Sequence, residues 1–226
     1  MTIARIPVTL PSRLPVFPLC GVVLMPFGHV PLNVFEPRYL QMIDDALGGP
    51  RLIALVQPQA LFDDPVPDDA PLYTVGTVGR IISFQDSTSG HYQIVLEGIS
   101  RFRVVKAPAA DAHSGYRTLD VDFSPYGDDR HPAAHEDGPG RGRILALLRD
   151  YFTANAIDAD WTSVSEAPYE ALVSSLVMSC PFAPGEKQAL LECENHGARA
   201  KMLISLFEMS LEGGTATGGF GLETRH

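Results

Sequence analysis

The sequence predicts an α+β fold: a small, partly closed β-barrel followed by a helical bundle. Three observations carry this reading. Between residues 14 and 123 the apolar residues fall in short runs separated by Gly, Pro, Asp and Ser turns, as strands joined by tight connections do. Residues 125–143 are polar and rich in Gly, Pro, Asp and His, the composition of an exposed linker. Beyond residue 144 apolar residues recur three and four positions apart, the period of an amphipathic helix. The expected organisation is a β-rich barrel over 1–123, a linker over 124–143, a helical bundle over 144–212 and a flexible tail over 213–226.

Taken in order, residues 14–19 form a short strand. Its prolines, Pro15 and Pro18, place it at a sheet edge or barrel rim. Residues 30–35 form a second strand. Pro37 then fixes a helical φ while pushing Glu36 to an extended conformation, so Glu36-Pro37-Arg38 is a strand-to-helix corner. Tyr39, Leu40, Ile43, Ala46 and Leu47 continue the helix, which Gly48-Gly49-Pro50 stops. Residues 52–56 resume strand character. Residues 62–69 are an acidic, proline-rich loop, and 73–84 are β-rich with glycines that signal a bend or bulge. Residues 86–90 have hairpin-turn composition, 91–97 return as a strand, 97–101 turn, and 102–105 and 116–123 supply the last strands. Helical stripes follow at Ile144, Leu145, Leu148, Tyr151 and Phe152, then at Leu172, Val173, Leu176 and Val177. Two more helices span 185–194 and 199–212.

Of the 226 residues, 45% are hydrophobic and 19% charged, a globular composition with no apolar run near the ~20 residues a membrane helix needs. The N-terminus lacks the basic and apolar regions of a signal peptide, so a cytoplasmic location is the expectation. The formal charge of −10 opposes nucleic acid and anionic membrane as partners. Cys20, Cys180 and Cys193 are far apart and in apolar company, the pattern of reduced, buried thiols and not of a disulfide frame or zinc site.

Four ordered blocks resemble the Lon protease N-terminal domain. They are Pro15-Val16-Phe17-Pro18-Leu19 with Pro31-Leu32-Asn33-Val34-Phe35-Glu36-Pro37-Arg38-Tyr39, then Val75-Gly76-Thr77, then Glu97-Gly98-Ile99-Ser100-Arg101-Phe102, then residues 187–192 with Arg199. The similarity runs from about residue 12 to 211. It implies a PUA-like barrel followed by a helical bundle, and a role in recognising unfolded or tagged protein substrates. Complete Lon proteases continue into an ATPase module and a Ser-Lys protease domain. This sequence contains no G-x-x-x-x-G-K-[ST] loop, so ATP hydrolysis and peptide cleavage are not carried over, and a stand-alone member of the family is expected.

The favoured function is a non-catalytic module that binds unfolded or extended polypeptide in a groove between barrel and bundle, or by adding a strand to the proline-blunted edge. A protease or ATPase acting in trans is a further expected partner; no cofactor, metal or catalytic residue is assigned. Candidate binding residues are Met25 and Phe27, expected to be exposed in the loop 25–29, with Phe35, Glu36, Arg38, Tyr39 and Arg101. Glu36 and Arg38 suit charge-assisted bonds to a peptide, or they pair locally or with Arg101 to fasten the helix; charges two apart at a corner favour the scaffold role. Phe35 and Tyr39 suit core and pocket wall equally. Gly76 and Gly98 serve backbone geometry.

The rival reading is a small hydrolase using a metal near His131 and His135, with Glu136 and Asp137 nearby, or using an acid pair. Pro132 and the surrounding Gly and Pro favour a loop there. The pairs Asp44-Asp45, Asp63-Asp64, Asp68-Asp69 and Asp128-Asp129 have the look of solvated loop acids. An apolar setting silences Cys20 as a nucleophile. RNA binding, known among PUA-like barrels, is opposed by the charge and by the lack of a basic stripe. Trp161 suits a helix-start anchor or an exposed contact.

Overall fold

A computed structural model describes residues 10–62, 65–87, 90–107, 115–131, 140–154 and 157–212. The chain divides into two compact units, residues 1–132 with 174–192, and residues 133–173 with 193–226. Residues 174–192 thus cluster with the strands, where the expected bundle over 144–212 had grouped them with the other helices.

In the first unit one strand organises the rest. β5 (Tyr92–Lys106) is 15 residues long, enough to pair along one flank with two different strands. Its first half pairs with β2 (His29–Val34) and its last residues with β6 (Thr118–Asp122). On its other flank lies β4 (Val75–Asp86), then β3 (Leu52–Val56), then β1 (Arg13–Pro18), which pairs with β6 and so closes a ring of five strands. All pairs are antiparallel except β1 with β3. The ring interior holds Leu14, Val16, Leu52, Ala54, Val56, Val78, Phe102, Leu119 and Val121, none above 6% exposed. α1 (Pro37–Leu47) covers a second face: Tyr39, Met42, Ile43 and Ala46 pack on Phe17, Val34, Ile53, Leu55, Ile81, Ile94 and Leu96. β3 is therefore buried on both sides, which is why it reads as the unbroken apolar run Leu-Ile-Ala-Leu-Val.

Three expectations need correcting. β1 lies inside the ring and not at an edge. Val16–Pro18 register with β3 and Arg13–Pro15 with β6, the Val16 N–H donating to Arg117 O just before β6, so each proline costs at most one ladder bond. Residues 97–101 are continuous strand: a register shift between Val78 and Gly79 absorbs the irregularity that looked like a turn. Finally, residues 124–130 are no linker. A 3-10 helix (Ser124–Arg130) folds back on β5 and buries Asp129. At the other end of the expected linker Arg141–Arg143 already belong to a helix, while 132–139 and the tail from 213 lie outside the described residues.

α5 (Pro184–Glu192) completes the first unit. Gln57 at the end of β3 donates to Pro184 O and Gln188 Oε1, both at 3.1 Å, and accepts from Gly21 N at 2.9 Å. Gln188 in turn donates to Val75 O at 3.0 Å. Both glutamines are 1% exposed, so their amides satisfy one another in place of water.

In the second unit α2 (Arg141–Ala154) packs on α6 (His196–Glu212) through Ile144, Leu147, Leu148 and Tyr151 against Ala200, Leu203 and Phe207; the Tyr151 and Phe207 rings are 5.2 Å apart. The helix start that was one of the two readings of Trp161 is present: α3 (Trp161–Glu166) is capped by Asp160, whose carboxylate accepts from Thr162 N and Ser163 N. Trp161 starts that helix, lies against Phe152 and carries the Arg149 guanidinium over its ring. α4 (Tyr169–Ser179) spans the division between the units.

Candidate functional site

The Glu36-Pro37-Arg38 corner has the expected backbone: Glu36 is extended at φ −72° and ψ 130°, and Pro37 opens α1. Arg38 is its hub. Its Nε donates to Glu36 Oε2 at 3.0 Å, Nη2 donates to Val66 O at 2.8 Å, and Nη1 pairs with Asp68. The guanidinium also lies 4.7 Å from the centre of the Tyr39 ring. Burial, ahead of the neighbouring charges, pushes the Tyr39 phenol up to about 12. Arg38 thus ties the helix start to residues 66–68, and between them opens a cleft of about 540 Å³ lined by Glu36, Pro37, Arg38, Pro65, Val66, Pro67 and Asp68.

Arg101 is not part of this corner. It is 4% exposed and belongs to a separate buried ion pair. Its Nε and Nη2 donate to the Asp129 carboxylate at 2.9 and 2.8 Å, its own backbone N–H donates to the same carboxylate at 2.8 Å, and Nη1 donates to Leu191 O at 3.0 Å. The Tyr126 ring covers it at 4.5 Å. β5, the 3-10 helix and α5 are held together at this one side chain.

Met25 is fully buried, contrary to the expected exposure, and Phe27 is half-buried. The reason is a tight turn. Gly28 N–H donates to Met25 O at 2.9 Å and Phe27 N–H to Gly98 O at 2.8 Å, with Phe27 at φ +62°. This is the left-handed position of a type II turn, where glycine is the easy residue and phenylalanine costs about 1–2 kcal/mol. A Cβ on Gly98 would lie 2.1 Å from Met25 O, so the turn presses directly on β5. At Gly76 it would meet Leu55 O at 2.6 Å.

β2 is the one strand of the sheet with a single neighbour among the described residues. Gly98 N–H donates to Gly28 O, and the register continues His29 opposite Glu97. Bonded pairs therefore fall at Val30, Leu32 and Val34, and the backbone groups of His29, Pro31 and Asn33 turn away from β5. All three residues are exposed, and Pro31 removes one donor from that edge. Phe35, 53% exposed, follows directly, with its ring 6.0 Å from His91. Ile82 and Phe84 are exposed on β4, and Phe84 makes an edge contact with Tyr92 at 4.9 Å.

The corner and the strand edge bring together Phe35, Glu36, Arg38 and Tyr39, while Met25 and Arg101 are internal supports. Sequence reasoning missed Asp68, Asp129, Gln57 and Gln188. The two aspartates stood in loops where paired acids are normally solvated, and nothing local marked them as partners of arginines 30 and 28 residues away.

His131 is exposed at the end of the 3-10 helix; His135, Glu136 and Asp137 lie outside the described residues. Among the described residues no group of three or more His, Cys, Asp or Glu is arranged to hold a metal ion. Cys180 and Cys193 are buried and Cys20 half-buried; burial pushes the Cys180 thiol up to about 12. Among the described residues no helix is long and apolar enough to cross a membrane.

Comparison with known proteins gives these features a family. The model of the ATP-dependent protease La (LON) substrate-binding domain matches residues 13–208. The chain is similar to Lon protease 2 of Myxococcus xanthus, 36% identical over 207 residues, and to Lon protease 2 of Sorangium cellulosum, 30% identical over 210. These alignments cover 90% and 89% of this chain but 24% and 25% of the relatives, so the chain spans about a quarter of their length. In fold it resembles the Lon N-terminal domain protein from Xanthomonas campestris, with a TM-score of 0.61 at 23% identity over 86% of this chain and 98% of that one. The chain belongs to the LON substrate-binding domain family.

Proposed function

We propose that this chain is a non-catalytic module that binds unfolded or extended polypeptide on its first unit. The observation that carries the reading is the free edge of β2, where exposed backbone groups at His29, Pro31 and Asn33 lead to the exposed Phe35. A polypeptide added along this edge gains main-chain hydrogen bonds that do not depend on its sequence, and the aromatic ring supplies apolar contact. The left-handed Phe27 supports the same reading: a side chain kept where glycine is easier is kept for its ring. Met25, Tyr39 and Arg101 drop out as contacts because they are buried, and act as scaffold. Unfolding and cleavage belong, in this reading, to ATPase and protease modules of the Lon type outside these residues, in the same chain or in trans. The charge of −10 argues against a nucleic-acid partner.

Fluorescence anisotropy of labelled casein fragments, titrated with the protein without nucleotide, tests this. Saturable binding weakened about tenfold by Phe35→Ser, the effect of losing about 1.4 kcal/mol of apolar contact, is the expected result. No binding up to about 1 mM, where association is worth only ~4 kcal/mol, overturns it.

A further inference from the structure

We infer that the proline-walled cleft beside Glu36 is a subsite for a lysine or arginine side chain of the bound polypeptide, an inference that rests on the polypeptide-binding reading above. The walls are Pro37, Pro65 and Pro67, with buried Val66 between them. Proline rings are rigid and apolar, the surface on which the aliphatic stem of a long cationic side chain rests while its head stays polar. The charges in the cleft are unequally presented. The Arg38 side chain is 18% exposed and its hydrogen bonds run to Glu36, Asp68 and Val66 O. The Asp68 side chain is 59% exposed, and Asp69 beside it is exposed as well. An approaching group therefore meets carboxylate before guanidinium. An anion is repelled, an apolar side chain gains the walls alone, and a cation on an aliphatic stem gains both walls and charge.

Position links this subsite to the strand edge. The outward backbone positions end at Asn33, Phe35 is exposed next, and Glu36 begins the cleft. Three residues of extended chain cover about 10 Å, so a strand laid along β2 carries a side chain into the cleft two to four residues beyond its last edge pairing. Polypeptide segments with an aromatic or apolar core and a flanking basic residue are thus selected over those with acidic flanks.

The test uses the full chain and three labelled peptides sharing one Val/Phe-rich core, flanked at both ends by lysine, norleucine or glutamate. The expected order of affinity is lysine, norleucine, glutamate, with about fivefold between the first two at low salt, as for a partly exposed ion pair. That gap should close in 0.5 M salt and in Asp68→Asn. Asp128→Asn removes the same charge from an exposed residue outside the cleft and should leave the gap intact. Equal binding of the lysine and norleucine peptides overturns the subsite while leaving the polypeptide-binding reading standing. So does an equal loss in the Asp68 and Asp128 variants, which would mark a general attraction to an acidic protein. Failure of all three peptides to bind overturns both.

Discussion

The Arg101–Asp129 pair offers the sharpest test of how the first unit is held. Asp129 accepts three N–H bonds, two from the guanidinium and one from the Arg101 backbone, and the two side chains are 5% and 6% exposed. Asp129→Ala takes the carboxylate away and leaves a buried guanidinium between β5 and α5. Breaking one side of a buried pair costs about 3–5 kcal/mol, several times the ~1 kcal/mol ceiling of an exposed pair. With a urea m-value of about 2 kcal/mol/M, the midpoint should fall by about 2 M in a melt followed by far-ultraviolet circular dichroism. Arg101→Met combined with Asp129→Leu removes both charges and should be less damaging than the sum of the singles, with a coupling of about 2 kcal/mol. A loss below about 1 kcal/mol for Asp129→Ala, or additivity in the double variant, would refute the claim that this pair is desolvated and shared among three elements.

Other outcomes follow from the same geometry. Gly98→Ala should cost about 2–3 kcal/mol in the same melt, because its Cβ falls 2.1 Å from the Met25 carbonyl oxygen and backbone must move; a change under 0.5 kcal/mol would contradict the tight turn. Phe27→Gly should leave the melting temperature unchanged or raised, since relief of about 1 kcal/mol of left-handed strain offsets the lost half-buried ring, while casein binding weakens. Asp160 caps α3, and its hydrogen bonds to Ser163 hold its carboxyl below the usual 3.8. Its contribution is therefore present above 3.8 and lost as pH falls through the depressed value; Trp161 fluorescence should stay constant from pH 7 to 4.5 and change only below the ordinary carboxylate range. At pH 8 iodoacetamide should modify Cys20 well before Cys180. Cys180 is buried and its thiol is pushed up to about 12, whereas Cys20 is half-buried and reachable, and peptide mapping reads the order directly.

The elements legible in the sequence are those whose determinants are local. The Glu36-Pro37-Arg38 corner was readable because proline dictates two backbone conformations by itself, and α1 because five apolar residues share one helical stripe. β3 was readable as a run buried on both faces. The failures came where the determinant is remote. The prolines of β1 point to an edge until its staggered pairing is known. Residues 97–101 look like a turn until Ile99 is seen as a bulge of β5 opposite Val78 and Gly79. Asp129 looks solvated until the 3-10 helix carries it to Arg101, and Met25 looks exposed until Gly98 lets its carbonyl approach. At the candidate site the motif gave Glu36 and Arg38, but Asp68, the second carboxylate on Arg38, sits across a loop that no spacing rule predicts.

The contribution of residues 174–192 to the first unit has a consequence for the order in which the protein is made. Gln57, Val75 and Arg101 are synthesised early, yet their partners at Pro184, Gln188 and Leu191 follow up to 131 residues later. On the ribosome the five strands can pair once residue 122 has emerged, but several of their buried polar groups then wait for α5. At roughly 5–20 residues per second that interval lasts several seconds, during which the nascent barrel is an unfinished fold open to holdase chaperones. A fragment cut after residue 132, where the first segment of that unit ends, would be held permanently in that interval; the shortest piece that closes the first unit runs to residue 192.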